Sequence, residues 1–368
     1  PRVRSAMAPW LGERFGNPSS VHRRGREARD AVEEARGRVA RLIGARPGEV
    51  LFTASGTEAN NMVVLAAGLA AGGSGRIVLS ALEHPSIRAA AERLEAAGME
   101  VVRVAPEPDG VVRAAVFAAA LTPETRLACL MLANNELGTL QPVAEVARAC
   151  RERGVPLLSD AVQAAGKVPL DAGGLGADYL VLGAHKFHGP LGAAALWVRP
   201  GAPAEPLLAG GGQERGLRPG TENVAALVGF GEAARLAAEE LPGRARRLAA
   251  LRDRFEAGLA AIPDARRHCA GSPRLPQTSH VAFPGVEGEA LVLRLDAAGF
   301  GVSTGSACSS GRPEPSKTLL AIGLDPEEAL SSIRISLGAA TTEAEIDAFL
   351  EALTREVATL RRLMSTPA

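Results

Sequence analysis

The chain carries no excess of either charge: 41 basic and 41 acidic residues cancel, and no basic block stands out. Without such a block there is no phosphate-neutralising surface, so direct binding of nucleic acid is not expected. Long apolar runs are missing as well. Stretches such as Ala114 to Leu121 and Leu127 to Ala133 are among the longest, and they fall far short of the roughly 18 residues of a membrane span. No secretory leader is recognisable at the start. The four cysteines, Cys129, Cys150, Cys269 and Cys308, show no C-x-x-C spacing. Their scatter argues against a zinc site or a disulfide framework and for a reducing cytoplasm. No G-x-x-x-x-G-K-[ST] loop occurs, and Gly73-Ser74-Gly75 makes a poor dinucleotide fingerprint because it precedes a strand-like run.

What is present organises itself as a soluble α/β protein. The 368 residues suffice for two or three structural units. From Arg24 to Ile43 the apolar positions Ala28, Val32, Ala35, Val39 and Leu42 recur at three- and four-residue steps, and Gly44 follows, which predicts a half-buried helix. Short β-rich runs then alternate with Ala-rich stretches: Val50 to Thr53, Ile77 to Ser80, Val101 to Val104, Leu127 to Ala133, Pro156 to Asp160, Tyr179 to Leu182 and Ala193 to Val198. Such alternation predicts a mostly parallel sheet with helices on both faces. The Gly-rich stretch Gly210 to Gly216 reads as a loop, with Thr221 opening a helix beyond it. A composition break at Leu241-Pro242-Gly243 introduces a long Arg/Ala/Leu helix. It divides the chain into a large domain, 1–241, and a smaller C-terminal α+β domain, 242–368, with the first ten residues or so expected to pack on the smaller one.

In a parallel sheet, ligands gather at the carboxyl ends of the strands, and the polar clusters sit there. Ser55-Gly56-Thr57-Glu58, Glu83-His84-Pro85, Asn134-Asn135-Glu136, Asp160 and His185-Lys186 each follow a strand-like run. Lys186, desolvated at a strand end, would be freed to form an imine; a snorkelling surface lysine is the plain alternative. Asp160 could bind a metal, cap a helix or hold a protonated pyridine nitrogen. Ser55-Gly56-Thr57 offers N–H groups and hydroxyls to a phosphate at a helix start. His84 suits a ring over a flat cofactor, or a hydrogen-bonded loop. Arg334, between apolar neighbours in Ser332 to Ser336, could fork onto a carboxylate or form a structural ion pair. Cys308 lies in a run of small residues, Ser303 to Gly311. It reads as an exposed nucleophile, unlike Cys129 and Cys150 in apolar surroundings.

Together these residues resemble the class V aminotransferase group of fold-type I pyridoxal-phosphate enzymes, and within it the cysteine desulfurases of the NifS/IscS type. The resemblance spans nearly the whole chain and rests on Phe15 to Ser20, Ser55 to Glu58, Glu83-His84, Asn134 to Gly138, the Asp160/Gln163 pair, His185-Lys186 with Gly189-Pro190, Gly211 to Thr221, Gly305 to Cys308 and Ser331 to Arg334.

It implies that Lys186 carries pyridoxal 5'-phosphate, that His84 stacks on the ring, and that Asp160 and Gln163 meet the pyridine nitrogen and the phenolic oxygen. It further implies phosphate contacts from Gly56, Thr57, His185 and, from the second subunit of a homodimer, Thr221. Asn135 and Arg334 would hold the substrate carboxylate and the cofactor edge, and Cys308 would carry a persulfide. The implied reaction removes sulfur from L-cysteine, leaving alanine, and passes it to an acceptor protein for iron–sulfur cluster assembly or tRNA thiolation. No metal is implied. A selenocysteine lyase, an aminotransferase or a non-catalytic sulfur-relay scaffold are the rival readings; Cys308 argues against a transaminase, and Lys186 with Asp160 against a scaffold. Two departures stand out. Gly183 occupies the position of a phosphate-binding serine, and the family's N-terminal strand with an Ala-Thr-Thr turn is expected to precede Pro1.

Overall fold

A computed structural model of the chain describes residues 1–304 and 314–365. It divides into two compact units: Pro1–Val104, Arg113–Ala133 and Gln141–Leu241 form the first, and Ala105–Val112, Asn134–Leu140 and the chain from Pro242 onward form the second. The first ten residues fall in the first unit, not with the smaller one. Arg2 pairs there with Glu240, and Met7 lies so close to Gly229 that a Cβ added to the glycine would meet its sulfur at 2.5 Å.

Among the described residues the first unit holds one seven-stranded sheet. Its strands are β1 (Val50–Thr53), β2 (Arg76–Ser80), β3 (Glu100–Val104), β4 (Thr125–Cys129), β5 (Leu157–Asp160), β6 (Tyr179–Gly183) and β7 (Ala194–Val198). They lie in the order β1-β7-β6-β5-β4-β2-β3. β6, β5, β4, β2 and β3 pair in parallel, and β7 runs against both its neighbours. β1, β5 and β6 are buried along their whole length, as a sheet covered on both faces requires. Leu51, Leu79, Leu127, Leu158 and Val181 build the core between the sheet and the helices Gly56–Ala70 and Pro85–Ala96. The apolar run Leu127 to Ala133 outlasts its strand. Beyond Cys129, though, the Leu130 and Leu132 N–H groups still donate to the carbonyls of Leu158 and Asp160, at 3.0 and 2.9 Å.

The helix expected from Arg24 spans Arg23–Leu42, with the His22 ring accepting from the Gly25 N–H as its cap. Two expectations around residue 240 need correcting. The helix after the Gly-rich loop starts at Val224, not Thr221; Asn223 accepts from the Ala226 N–H at 3.2 Å, the role this side chain fills best at a helix start. That same helix runs unbroken to Gly258 with Pro242 inside it. An interior proline costs about 3 kcal/mol. Buried Phe230, Ala234 and Ala237 before it and Leu248, Leu251 and Phe255 after it offset that cost through packing.

The second unit is α+β. Strands β8 (Arg266–Arg267), β9 (Thr278–Ala282) and β10 (Ser332–Ser336) form an antiparallel sheet in the order β10-β9-β8. Its core gathers Phe255, Phe283, Ile333, Phe349 and Leu353, with helices Gly288–Ala297 and Glu343–Ser365 contributing. Among the described residues no helix is long and apolar enough to cross a membrane.

Candidate active site

Because β1, β6, β5 and β2 point the same way, their carboxyl ends open on one edge of the sheet, and each leads into predicted site residues. β6 leaves through the short 3-10 turn Ala184–Phe187, which carries His185 and Lys186. Both side chains are exposed, so the desolvated lysine expected from the buried strand is not found. The strand is covered, but the turn swings its side chains outward. Partial desolvation of its ring against the turn, then the Lys186 and Lys167 charges, lowers the pKa of His185.

β5 ends on Asp160, 6% exposed. Its carboxylate accepts from Asn60 Nδ2 at 2.8 Å and from the Val162 N–H at 2.9 Å. β2 leads to His84, which caps the helix Pro85–Ala96. Burial holds the His84 pKa below its ordinary value; Asp160 pulls it up, and Lys186 and Arg88 push it down. Asp160, His84 and Lys186 thus end or follow strands whose carboxyl ends lie on the same edge of the sheet. His84 Nδ1 lies 2.8 Å from Ser86 Oγ, and Ser86 Oγ accepts from Asn60 Nδ2 at 2.9 Å. Asn60 and Ser86 escaped sequence reasoning. The available signal was an amide inside the otherwise apolar helix from Gly56 and a hydroxyl two residues after His84.

Glu83, 1% exposed, accepts from the Met131 N–H at 2.6 Å and leaves its other oxygen unpaired. Burial, with the Asp160 charge adding to it, pushes its carboxyl up to about 8, so it is protonated at neutral pH.

The helix Gly56–Ala70 begins beside these groups. Ser55 accepts from the Glu58 N–H at 3.0 Å, Thr57 is exposed, and the first N–H groups face outward with the positive end of the helix dipole. Val162 wedges between two glycines here. A Cβ on Gly56 would meet it at 3.0 Å, and one on Gly183 at 3.2 Å. Gln163 accepts from Lys167 Nζ at 2.8 Å, and Thr221 is exposed.

The Gly-rich loop is pinned by charges that the sequence did not reveal. Glu214, with 2% of its side chain exposed, takes a two-pronged ion pair from Arg36 at 2.7 and 2.8 Å and a bond from the Phe52 N–H at 2.8 Å. Arg218 pairs with Glu58 at 2.7 Å.

Asn135 and Arg334 belong to the second unit. Arg334, on β10, donates to the Asn135 carbonyl at 2.9 Å. Its pKa is lowered by burial, with Glu136 opposing. Glu136 accepts from Ser316 Oγ at 2.5 Å and Thr318 Oγ1 at 2.9 Å, and Ser303 exchanges backbone bonds with Arg334. Cys308 lies outside the described residues. Of the other cysteines, burial pushes the thiols of Cys150 up to about 12 and Cys269 to about 11, and raises that of Cys129 well above the ordinary thiol range. None of these is an activated nucleophile. Among the described residues no cluster of His, Cys, Asp and Glu could hold a metal ion.

Comparison with known proteins follows the same lines. The family profile "Aminotransferase class-V" matches residues 1–349. A cysteine desulfurase of Cereibacter sphaeroides is 47% identical over 369 residues, covering 99% of this chain and 94% of that protein. A NifS-like protein of known structure superposes with a TM-score of 0.90 at 35% identity, covering 97% of this chain and 96% of the other. SspA in complex with cysteine gives 0.80 at 32%, covering 92% and 96%. With profile, sequence and fold in agreement across both units, the chain belongs to the class-V aminotransferase family, on its NifS/IscS-like cysteine desulfurase branch.

Proposed function

We propose that this chain is a pyridoxal-phosphate-dependent cysteine desulfurase. The carbon–sulfur bond of L-cysteine is broken, the sulfur ends on Cys308 as a persulfide, and the carbon skeleton leaves as alanine. The Cys308 thiol hydrogen balances the hydrogen gained by alanine, so no outside oxidant or reductant is needed. The observation that carries this reading is the placement of Lys186, His84 and Asp160 at or just after the ends of three parallel strands that finish on the same edge of the sheet.

The residues fit the cofactor. Asp160 offers a carboxylate held by two neutral N–H donors, suited to a protonated ring nitrogen, and the start of the helix Gly56–Ala70 offers N–H groups to a phosphate. When bound, the protonated ring supplies an electron sink for charge at the substrate Cα. Lys186 would hold the cofactor, and its amine is the group that would carry the Cα proton. His84, whose pKa burial lowers, would pack against the cofactor ring. Gly56, Thr57 and His185 bind the phosphate, with Thr221 from a second copy. Gln163, which here accepts from Lys167, would meet the phenolic oxygen. Asn135 and Arg334 hold the substrate carboxylate. The exposed Leu11, Phe15 and Val21 support burial against a second copy. The sulfur then passes in the cytoplasm to an acceptor protein that builds iron–sulfur clusters or thiolates tRNA.

The test is to supply L-cysteine, reductant and pyridoxal phosphate and to measure alanine and sulfide. Wild type forms both, Lys186→Ala neither, and Cys308→Ala loses sulfide release by at least about a hundredfold, in line with the loss of an activated nucleophile. Equal sulfide from Cys308→Ala would remove the thiol from the reaction.

A further inference from the structure

Asn60 is 1% exposed, on a helix whose neighbouring buried positions are Ala59, Met62, Val63 and Val64. An amide so placed is costly unless its donors are used. Both are: Nδ2 donates one hydrogen to Asp160 Oδ2 at 2.8 Å and the other to Ser86 Oγ at 2.9 Å. The Asp160 carboxylate sets the orientation of this amide, because a carboxylate only accepts and a flipped amide would turn oxygen toward oxygen. The Oδ1 atom is accordingly left without a partner.

The direction then propagates. Ser86 Oγ accepts from Asn60, so its single hydrogen is free for His84 Nδ1, 2.8 Å away. The Ser86 N–H also points at Nδ1, at 3.2 Å. Two donors converge on one ring nitrogen, and a nitrogen that accepts cannot carry a proton.

We propose that Asn60 and Ser86 are positioning residues that transmit the fixed charge of Asp160 to His84, locking the imidazole in the tautomer with its proton on Nε2. The consequence for the reaction rests on the function proposed above; the tautomer itself does not. With Nδ1 occupied and Nε2 already protonated, His84 offers the site a hydrogen-bond donor and no basic nitrogen, leaving the Lys186 amine as the proton carrier. The charged groups acting on the ring are Asp160 from β5, Lys186 from the turn after β6 and Arg88 from the ring's own helix. None of them offers a competing acceptor at Nδ1, where both donors come from Ser86.

The experiment is nitrogen NMR of the full chain labelled with 15N-histidine, with and without added pyridoxal phosphate. One of six histidines is assigned to His84 by its loss in His84→Gln. The expected wild-type spectrum has a protonated Nε2 and an unprotonated, hydrogen-bonded Nδ1. In Ser86→Ala the tautomer preference weakens by roughly tenfold and the ring titrates up to about one pH unit higher, the size of one lost hydrogen bond. Ser86→Thr restores both, which a merely space-filling serine would not require. A proton on Nδ1 in wild type overturns the proposal, as does an unchanged tautomer and titration in Ser86→Ala. The spectra are read without turnover, so a chain that shows the expected tautomer yet releases no alanine from cysteine would refute the desulfurase reading alone.

Discussion

Removing Glu214 should damage the fold far more than an ordinary surface carboxylate would. Its side chain is 2% exposed and that of Arg36 5%. Deleting the carboxylate takes two charged hydrogen bonds from the guanidinium, which keeps only the more exposed Glu33 carboxylate at 3.0 Å and the Val50 carbonyl at 3.1 Å, and leaves the Phe52 N–H without its acceptor. Breaking one side of a buried pair costs about 3–5 kcal/mol, a large share of the roughly 5–15 kcal/mol that holds a typical protein folded. The neighbouring backbone adds to the effect, since Glu214 and Arg215 sit at φ values of +47° and +60°, a region costing about 1–3 kcal/mol per non-glycine residue. Without the ion pair nothing repays that strain at Glu214. Urea unfolding of Glu214→Met, Arg36→Met and the double variant measures the pair. Arg36→Met, which leaves Glu214 buried without its cation, should lower stability by about 3–5 kcal/mol, Glu214→Met by somewhat less because Glu33 still faces the guanidinium, and the double by clearly less than their sum. Trypsin should also cut faster after Arg215 in Glu214→Met. Additive single effects, or losses below about 1 kcal/mol, would refute the reasoning.

Glu83 should make stability fall as pH rises. Its carboxyl is pushed up to about 8 in the fold against about 4.5 when unfolded, so the native chain holds a proton that the unfolded chain has lost. Its contribution is full below about pH 4.5 and disappears as pH climbs through about 8, at up to ~1.4 kcal/mol per pH unit. Glu83→Gln keeps the acceptor for Met131 and removes that slope; parallel curves for the two proteins across this window would rule the buried proton out. At Gly183 a serine hydroxyl could reach the phosphate only if Val162 yields, because a Cβ would lie 3.2 Å from its methyl. Gly183→Ser alone should therefore gain little pyridoxal-phosphate affinity, and Gly183→Ser with Val162→Ala about tenfold, the value of one charge-assisted hydrogen bond. Fluorescence titration decides, and an equal gain in both would clear Val162 of blame.

The sheet was legible because a strand buried on both faces must be apolar throughout, so Val50 to Thr53 and Tyr179 to Leu182 stand out as runs. His84, Asp160 and Lys186 drew attention because each stands at the end of such a run or within four residues of it. Asn60 could not, since its meaning lies in partners 26 and 100 residues away that only folding brings near. Glu214 is the same case at 178 residues from Arg36. Pro242 was misleading for another reason: local propensity marks it as a break, and packing on both sides of the helix overrides it. The exposure of Lys186 was hidden because the run before it reports on the strand, not on the turn that follows.

The most direct test of sulfur transfer is intact-protein and peptide mass spectrometry after L-cysteine is added to the pyridoxal-phosphate-loaded chain without reductant. One extra sulfur atom should appear on the peptide containing Cys308, should vanish on adding reductant, and should be absent from Cys308→Ala and Lys186→Ala. Extra sulfur on Cys129, Cys150 or Cys269 instead, or alanine formed with no cysteine modified, would contradict it.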